Sequence, residues 1–326
     1  MILFGEHAVA YGKLGIAAAI GESTIVELVK SGAGIRVSQP FNPIYSSISK
    51  DELFKKLERF NQLYEAKDLV EIKKMSFLDS MHIVIAETMR RFGFEGMTIS
   101  LQFDNKMKGI GRSASIYSGI ATAISAQLNA NASKNVISEI AYLGDVIAHA
   151  GTPSGIDTST VTFGGYISYK KSDGSQPLSI DYSMPLLIVD SGELSSTKEA
   201  VSRVRIMREQ NTAKIDGILE QIDGISNEAL ELLKKKNLEG LGKLASKNQE
   251  LLRELDISTP KLEEILEIAR DNGALGAKIT GAGMGGCAIV MSRNATDSER
   301  LRNIYLASGY KAISTSLGTE GSRFFE

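Results

Sequence analysis

The chain of 326 residues carries 37 Lys plus Arg against 39 Asp plus Glu, a formal net charge of −2, which excludes a nucleic-acid binder working by bulk electrostatics. Its length suffices for two domains, each with its own core, and its composition of 43% hydrophobic and 23% charged residues is that of a globular protein. One cysteine (Cys287) excludes an internal disulfide and fits a reducing compartment, three histidines argue against zinc, and no apolar run approaches the ~18 residues of a membrane span.

The N-terminus has no basic region ahead of an apolar one, so no signal peptide is expected and the expected location is cytoplasmic. Residues 1–4 read as a strand, followed by the turn GEHAVAYGK (5–13) and a second apolar run, 14–20. Glu6 and His7 follow a glycine at a strand end, where ligand-facing polar groups are common; a solvated turn accounts for them as well. Alternation predicts strands over 23–29 and within 32–39, and the polar stretch 42–74 predicts short helices. Leu78, Met81, Ile85 and Met89 recur at helical spacing and predict a buried helix over 77–92, with His82 beside the stripe as a core histidine. Residues 97–103 alternate as a strand that delivers the chain into GIGRSAS (109–115).

Gly109 and Gly111 free the backbone for tight turns whose N–H groups can converge on an anion. Ser113 sits where an N-cap or a metal-facing hydroxyl is wanted, and Ile116, Ile120, Ile124 and Leu128 then mark a buried helical face. A helix N-terminus behind bare amides is a ready anion site, and Lys106, Lys108 and Arg112 add positive charge. A plain glycine turn before a core helix is the competing reading.

A further helix is expected over 133–150, capped by Ser133, with Asp145 near its C-terminal end, where a carboxylate opposes the helix dipole. In GTPSGIDTSTVTFGG (151–165), Asp157 stands between turns with no basic neighbour in sequence, placed to accept a proton from a substrate hydroxyl or to close an Asx-turn. A strand is predicted over 160–169, a polar domain boundary over 170–185 and a buried strand over 186–189. Ser195 or Ser196 caps the first of three charged helices running to 254; a helix over 260–272 and a strand over 276–280 follow. Gly281, Gly283, Gly285 and Gly286 then join two apolar strands, more glycine than a hairpin needs, which implies close approach of the backbone to a ligand or to the first glycine loop. A helix over 296–308 and a strand over 310–316 close the chain.

Three stretches, MILFGEHAVAYG, NKMKGIGRSAS and KITGAGMGGCAIV, resemble in order and separation the three motifs of the GHMP kinases, the family of galactokinase and of homoserine, mevalonate and phosphomevalonate kinases. GEHAVAYG, PSGID and STKEAV look most like the mevalonate kinases within it. The resemblance implies an α+β, two-domain fold, with 1–175 an N-terminal domain bearing the phosphate loop, 176–326 a C-terminal domain, and the active site in the cleft between them. It also implies ATP and Mg²⁺, a small-molecule acceptor, mevalonate or a mevalonate phosphate, and no nucleic acid or membrane; a homodimer stays open. By the same resemblance Lys108, Gly109, Ile110, Gly111, Arg112, Ser113 and Ala114 would wrap the ATP phosphates, and Ser113 and Asp145 would hold the metal. Asp157 would be the catalytic base, while Glu6, His7, Thr197, Gly281 and Ala282 would hold the acceptor.

Four departures stand out. The PGK that precedes the family's first strand is absent, so either the natural chain begins upstream of Met1 or the site works without that lysine. Arg112 replaces the first serine of GLGSSAA, Asn105 replaces the motif's proline, and Asp145 lies one residue further from the aspartate than the family's glutamate. The extra cation makes 5-phosphorylation of mevalonate 3-phosphate a rival to that of free mevalonate. A non-catalytic ligand sensor is the reading from another class.

Overall fold

A computed structural model describes residues 1–32, 34–38, 46–104, 107, 109–149, 151 and 153–325, and the Lys198 side chain is not among the described groups. Two compact units divide the chain, one built from 1–21, 107–110 and 164–320, the other from 22–106, 111–163 and 321–326.

In the first unit, β1 (Ile2–Phe4), β2 (Gly15–Ala18), β7 (Tyr166–Lys170) and β8 (Gly174–Leu178) form an antiparallel sheet in that order. A second antiparallel sheet runs β10 (Gly276–Ile279), β11 (Cys287–Met291), β9 (Met184–Asp190), β12 (Lys311–Leu317). Every residue of β10 and β11 is buried, so the sheet is covered on both faces at these strands, and the run of apolar residues in β11 carries no alternation for that reason. The helices of the unit are α7 (Thr197–Gln210), α8 (Thr212–Lys234), α9 (Leu238–Glu254), α10 (Pro260–Asp271) and α11 (Ala295–Ala307). Met107 and Ile110 join this unit's core.

The second unit has one sheet, β3 (Thr24–Lys30), β6 (Met97–Phe103), β4 (Gly34–Ser38), β5 (Ser46–Ser49), with β4 and β6 parallel. Its helices are α1 (Lys50–Glu65), α2 (Leu69–Ile72), α3 (Phe77–Phe92), α4 (Arg112–Gln127), α5 (Lys134–Ala148) and α6 (Ile156–Phe163). The buried residues of β4 and β6 alternate, as the sequence pattern requires of a sheet packed on one face.

Three local expectations change. Within 42–74, residues 42–45 lie outside the described set, and the rest folds as a strand, a 16-residue helix, α1, opened by a Ser49–Glu52 capping box, and the short helix α2 that the polar pattern predicts. Of the strand expected over 160–169, residues 166–169 lie in β7, while 160–163 belong to the helix α6. Its threonines turn inward: Thr160 Oγ1 donates to Ile156 O at 2.6 Å, and Thr162 meets Ser118 of α4 at 2.8 Å, so hydroxyl satisfaction overrides their β-propensity. The polar stretch 170–185 is a hairpin, β7 to β8, and position 175/176 falls inside β8. The chain passes between units at 21/22, 106/107, 110/111, 163/164 and 320/321.

Candidate active site

The start of α4 is set by Gly111, whose left-handed backbone (φ 84°) serves as N-cap with no side-chain hydrogen bond. A residue with a Cβ is strained there, and the uncapped first turn leaves amides pointing outward for an anion. The cap is therefore Gly111 rather than Ser113, which stands inside the first turn. Ser115 fastens the turn, donating to Arg112 O at 2.8 Å and meeting Thr24 Oγ1 at 2.6 Å. The Arg112 guanidinium lies 4.9 Å over the Phe103 ring. Gly109 is also left-handed (φ 80°) and has open space around its Cβ position, while Lys108 lies outside the described residues.

One turn beyond Ser113, the fully buried Tyr117 gathers the other candidate groups of this unit. Its phenol meets Ser80 Oγ at 2.7 Å and hydrogen-bonds Ser113, and burial drives its pKa upward. A Cβ on Gly144 of α5 would stand 2.8 Å from the Tyr117 ring, so glycine lets α5 lie flat on it. The next residue is Asp145, buried close enough to act electrostatically on Tyr117. Burial raises the Asp145 pKa, His149 opposes that rise, and Asp157 adds to it as a like charge. The Asp145 carboxylate lifts His149 to about 9, so the imidazole is protonated at neutral pH.

His149 Nδ1 is 3.1 Å from Asp145 Oδ1 and 3.3 Å from the Asp145 carbonyl. Its one N–H is shared between them, and Oδ1 is left without an aligned hydrogen bond. Asp157, half-buried in the first turn of α6, makes no hydrogen bond or ion pair among the described residues. The structure thus brings Ser113, Asp145 and Asp157 into one electrostatic neighbourhood.

These groups suit Mg²⁺. The ion is hard, takes oxygen ligands, and is usually held by one or two carboxylates while phosphates and waters complete its shell. Asp145 offers a buried carboxylate oxygen with spare capacity and Ser113 a hydroxyl. Among the described residues no cluster of three or more His, Cys, Asp or Glu forms an all-protein cage, which a phosphate-sharing metal does not need.

The other expected residues lie in the first unit. His7 sits at the apex of a three-residue turn closed by Ala8 N–H to Glu6 O at 2.7 Å, with φ 61° and ψ −43°, a strained conformation for a side-chain-bearing residue. Its Nε2 lies 2.8 Å from Ala282 O, and burial lowers its pKa. Glu6 is 1% exposed and pairs with Lys278 of β10, so the sequence expectation of a ligand-facing carboxylate is not what this unit displays.

The glycine turn between β10 and β11 packs on its own unit. A Cβ at Gly283 would be 2.5 Å from Ile257 O and one at Gly285 3.0 Å from Leu194 O, so part of the glycine surplus serves internal packing; Gly281 alone of the four is open. Ser195 Oγ donates to Gly283 O at 2.7 Å, tying the turn to the segment that Ser196 caps into α7, where Thr197 is exposed. A cavity of about 590 Å³ runs along α7 between Glu199, Arg203, Met207, Asp256 and Met284.

Sequence reading missed Lys278, Tyr117 and His149. Two signals were available: a lysine inside an otherwise apolar strand, and a histidine four residues after Asp145 on one helix face.

Among the described residues no helix is long and apolar enough to cross a membrane. The family profile described as GHMP kinases C terminal matches residues 229–311. The whole chain is 33% identical to a mevalonate kinase of Thermococcus gammatolerans and 31% identical to one of Pyrococcus horikoshii, covering 96% of each. It is also similar to the crystal structure of the Methanococcus jannaschii mevalonate kinase (TM-score 0.81, 27% identity, 98% of this chain and 96% of that one). An L. major mevalonate kinase in complex with R-mevalonate gives a TM-score of 0.79 at 25% identity, over 98% of this chain and 94% of that one.

Proposed function

The chain belongs to the GHMP kinase family and is an ATP-dependent small-molecule kinase, and from that premise we propose that it phosphorylates the 5-hydroxyl of mevalonate. Kinship with kinases over its full length sets aside the non-catalytic sensor.

The observation that carries the mechanism is Asp157, a half-buried carboxylate with no partner among the described residues, beside a second carboxylate that has one. In this reading Asp157 accepts the proton of the acceptor hydroxyl as that oxygen attacks the γ-phosphorus of ATP. The uncapped amides of α4 and the Arg112 guanidinium balance negative charge on the phosphates, a preorganised electrostatic contribution that needs no rearrangement during reaction. Ser113 and Asp145 would hold Mg²⁺, which when bound neutralises phosphate charge. His149 keeps Asp145 ionised and aimed, and Tyr117 holds the Ser113 hydroxyl in place. His7, Thr197, Gly281 and Ala282 are assigned to the acceptor.

A second acceptor is supported by one residue. Arg112 puts a fixed cation on the phosphate loop, and a phosphate already on the acceptor, as in mevalonate 3-phosphate, would use it. Free mevalonate remains first, because the loop is built for ATP.

An acceptor screen with Mg·ATP tests the proposal, using mevalonate, its 3- and 5-phosphates, homoserine and galactose. ADP release with mevalonate or its 3-phosphate, and a 5-phosphorylated product, is the expected result. Turnover confined to homoserine or galactose overturns it.

A further inference from the structure

The first unit buries two full charges. Lys278, in the middle of β10, and Glu6, in the loop after β1, both have side chains that are 0% exposed, and the ammonium group pairs with Glu6 Oε1. Lys278 Nζ also donates to Ile279 O at 2.7 Å, and Asn248 Nδ2 lies 3.5 Å from Glu6 Oε2. Gln249 Oε1 accepts from Ile279 N–H at 3.0 Å, so α9 grips the same strand.

Such pairs seldom add stability over well-packed apolar residues of the same volume, because desolvating both charges offsets their attraction. Core filling therefore does not explain this one. Its position does. Immediately after Glu6 comes the strained turn at His7, whose ring is fixed to Ala282 O, and Thr280 Oγ1 donates to Ile2 O at 2.8 Å. Glu6 falls between Ile2 and His7, and its partner Lys278 precedes Thr280 and Ala282, so that three links along β10 and the turn beyond it lock residues 2–7 in register with the glycine turn. A strained backbone persists only where its surroundings over-determine it, and these links do so.

We propose that Glu6 and Lys278 act as one positioning device that sets the His7 turn against Ala282, and that Glu6 does not touch the acceptor. The proposal rests on the kinase reading, and it replaces the expectation that Glu6 holds the substrate. Two residues acting as a unit lose function non-additively, whereas a residue that binds substrate by itself loses it whatever its neighbour is.

The test compares wild type, E6Q, K278M and E6Q/K278M by steady-state kinetics and by amide hydrogen exchange over residues 280–287. Each single variant should lower kcat by about 10- to 100-fold, and the double variant should be no worse than the poorer single. The double variant, neutral and without an unpaired charge, should fold stably yet exchange faster than wild type at 280–287. Where a single variant fails to fold, the double against wild type decides. Wild-type kcat and exchange in the double variant would reduce the pair to core filling and overturn the proposal. So would an E6Q effect on acceptor KM that is the same with Lys278 and with Met at 278, because Glu6 would then contact the acceptor. A wild type inert toward both mevalonate and its 3-phosphate would refute the proposed acceptor, and the exchange arm would still decide this one.

Discussion

The two units treat their charged site residues in opposite ways. In the first, Glu6 is neutralised by Lys278, the His7 ring is bound to a carbonyl, and burial pushes the Cys287 thiol up to about 12, far from reactive. In the second, the first turn of α4 is uncapped, Asp145 Oδ1 lacks an aligned hydrogen bond, and Asp157 has no partner among the described residues. Unpaired buried polar atoms occur in both units, Asn248 Oδ1 in the first among them, so the contrast rests on the charged groups, where an unpaired carboxylate is a candidate binding position. In the proposed assignment the paired groups of the first unit hold the glycine turn in place, and the carboxylates of the second are the candidates for metal and proton.

Asp157→Asn puts the greatest load on this contrast. It should lower kcat by roughly 10²- to 10⁴-fold while leaving the ATP KM close to wild type, because a proton acceptor is lost and no phosphate contact is. A parallel loss of ATP affinity would move Asp157 to the metal.

Arg112→Ser, which restores the family's residue, should cost about 10- to 100-fold in kcat/KM, the value of a charge-assisted contact. Loss confined to mevalonate 3-phosphate assigns the guanidinium to the acceptor, and equal loss on both acceptors with a raised ATP KM assigns it to ATP. Lower stability with unchanged kinetics would leave it only its place over Phe103.

The smallest effect belongs to a histidine outside the chemistry. His82 is buried in α3, bonded through Nε2 to Ser46 Oγ at 2.8 Å, and burial lowers its pKa to about 4. The unfolded chain, with an ordinary value of about 6.5, binds more protons between those limits, so stability falls as pH drops through that window. Urea unfolding should show about 1 kcal/mol lost to this residue between pH 7 and 5.5, a difference absent in His82→Gln. An identical pH slope in the variant would show that His82 does not titrate differently on folding.

Much of the frame was legible because it is local. The stripe through Leu78, Met81, Ile85 and Met89 gives the α3 boundaries, and Ser133 and Ser196 cap the helices they precede. The helix α6 was not legible, since its threonines are β-branched and only the partners Ile156 O and Ser118 make a helix the better solution. Ser49 and Glu52 spell out a capping box that marks the start of α1 within a stretch whose polarity suggested short helices. Within the site, motif resemblance pointed to Ser113, Asp145 and Asp157. It did not reveal the pairing of Glu6 with Lys278, 272 positions away, and local periodicity carries no information about such a pairing.

Equilibrium unfolding of Glu6→Gln beside Asp157→Asn tests the division most directly. Breaking the buried pair should lower the unfolding free energy by about 3 kcal/mol or more, because Lys278 is left with an uncompensated buried charge. Asp157→Asn should stay within about 0.5 kcal/mol of wild type or become more stable, as expected of a residue kept for activity. If Asp157→Asn loses as much as Glu6→Gln, or Glu6→Gln loses nothing, the division of framework from chemistry is wrong.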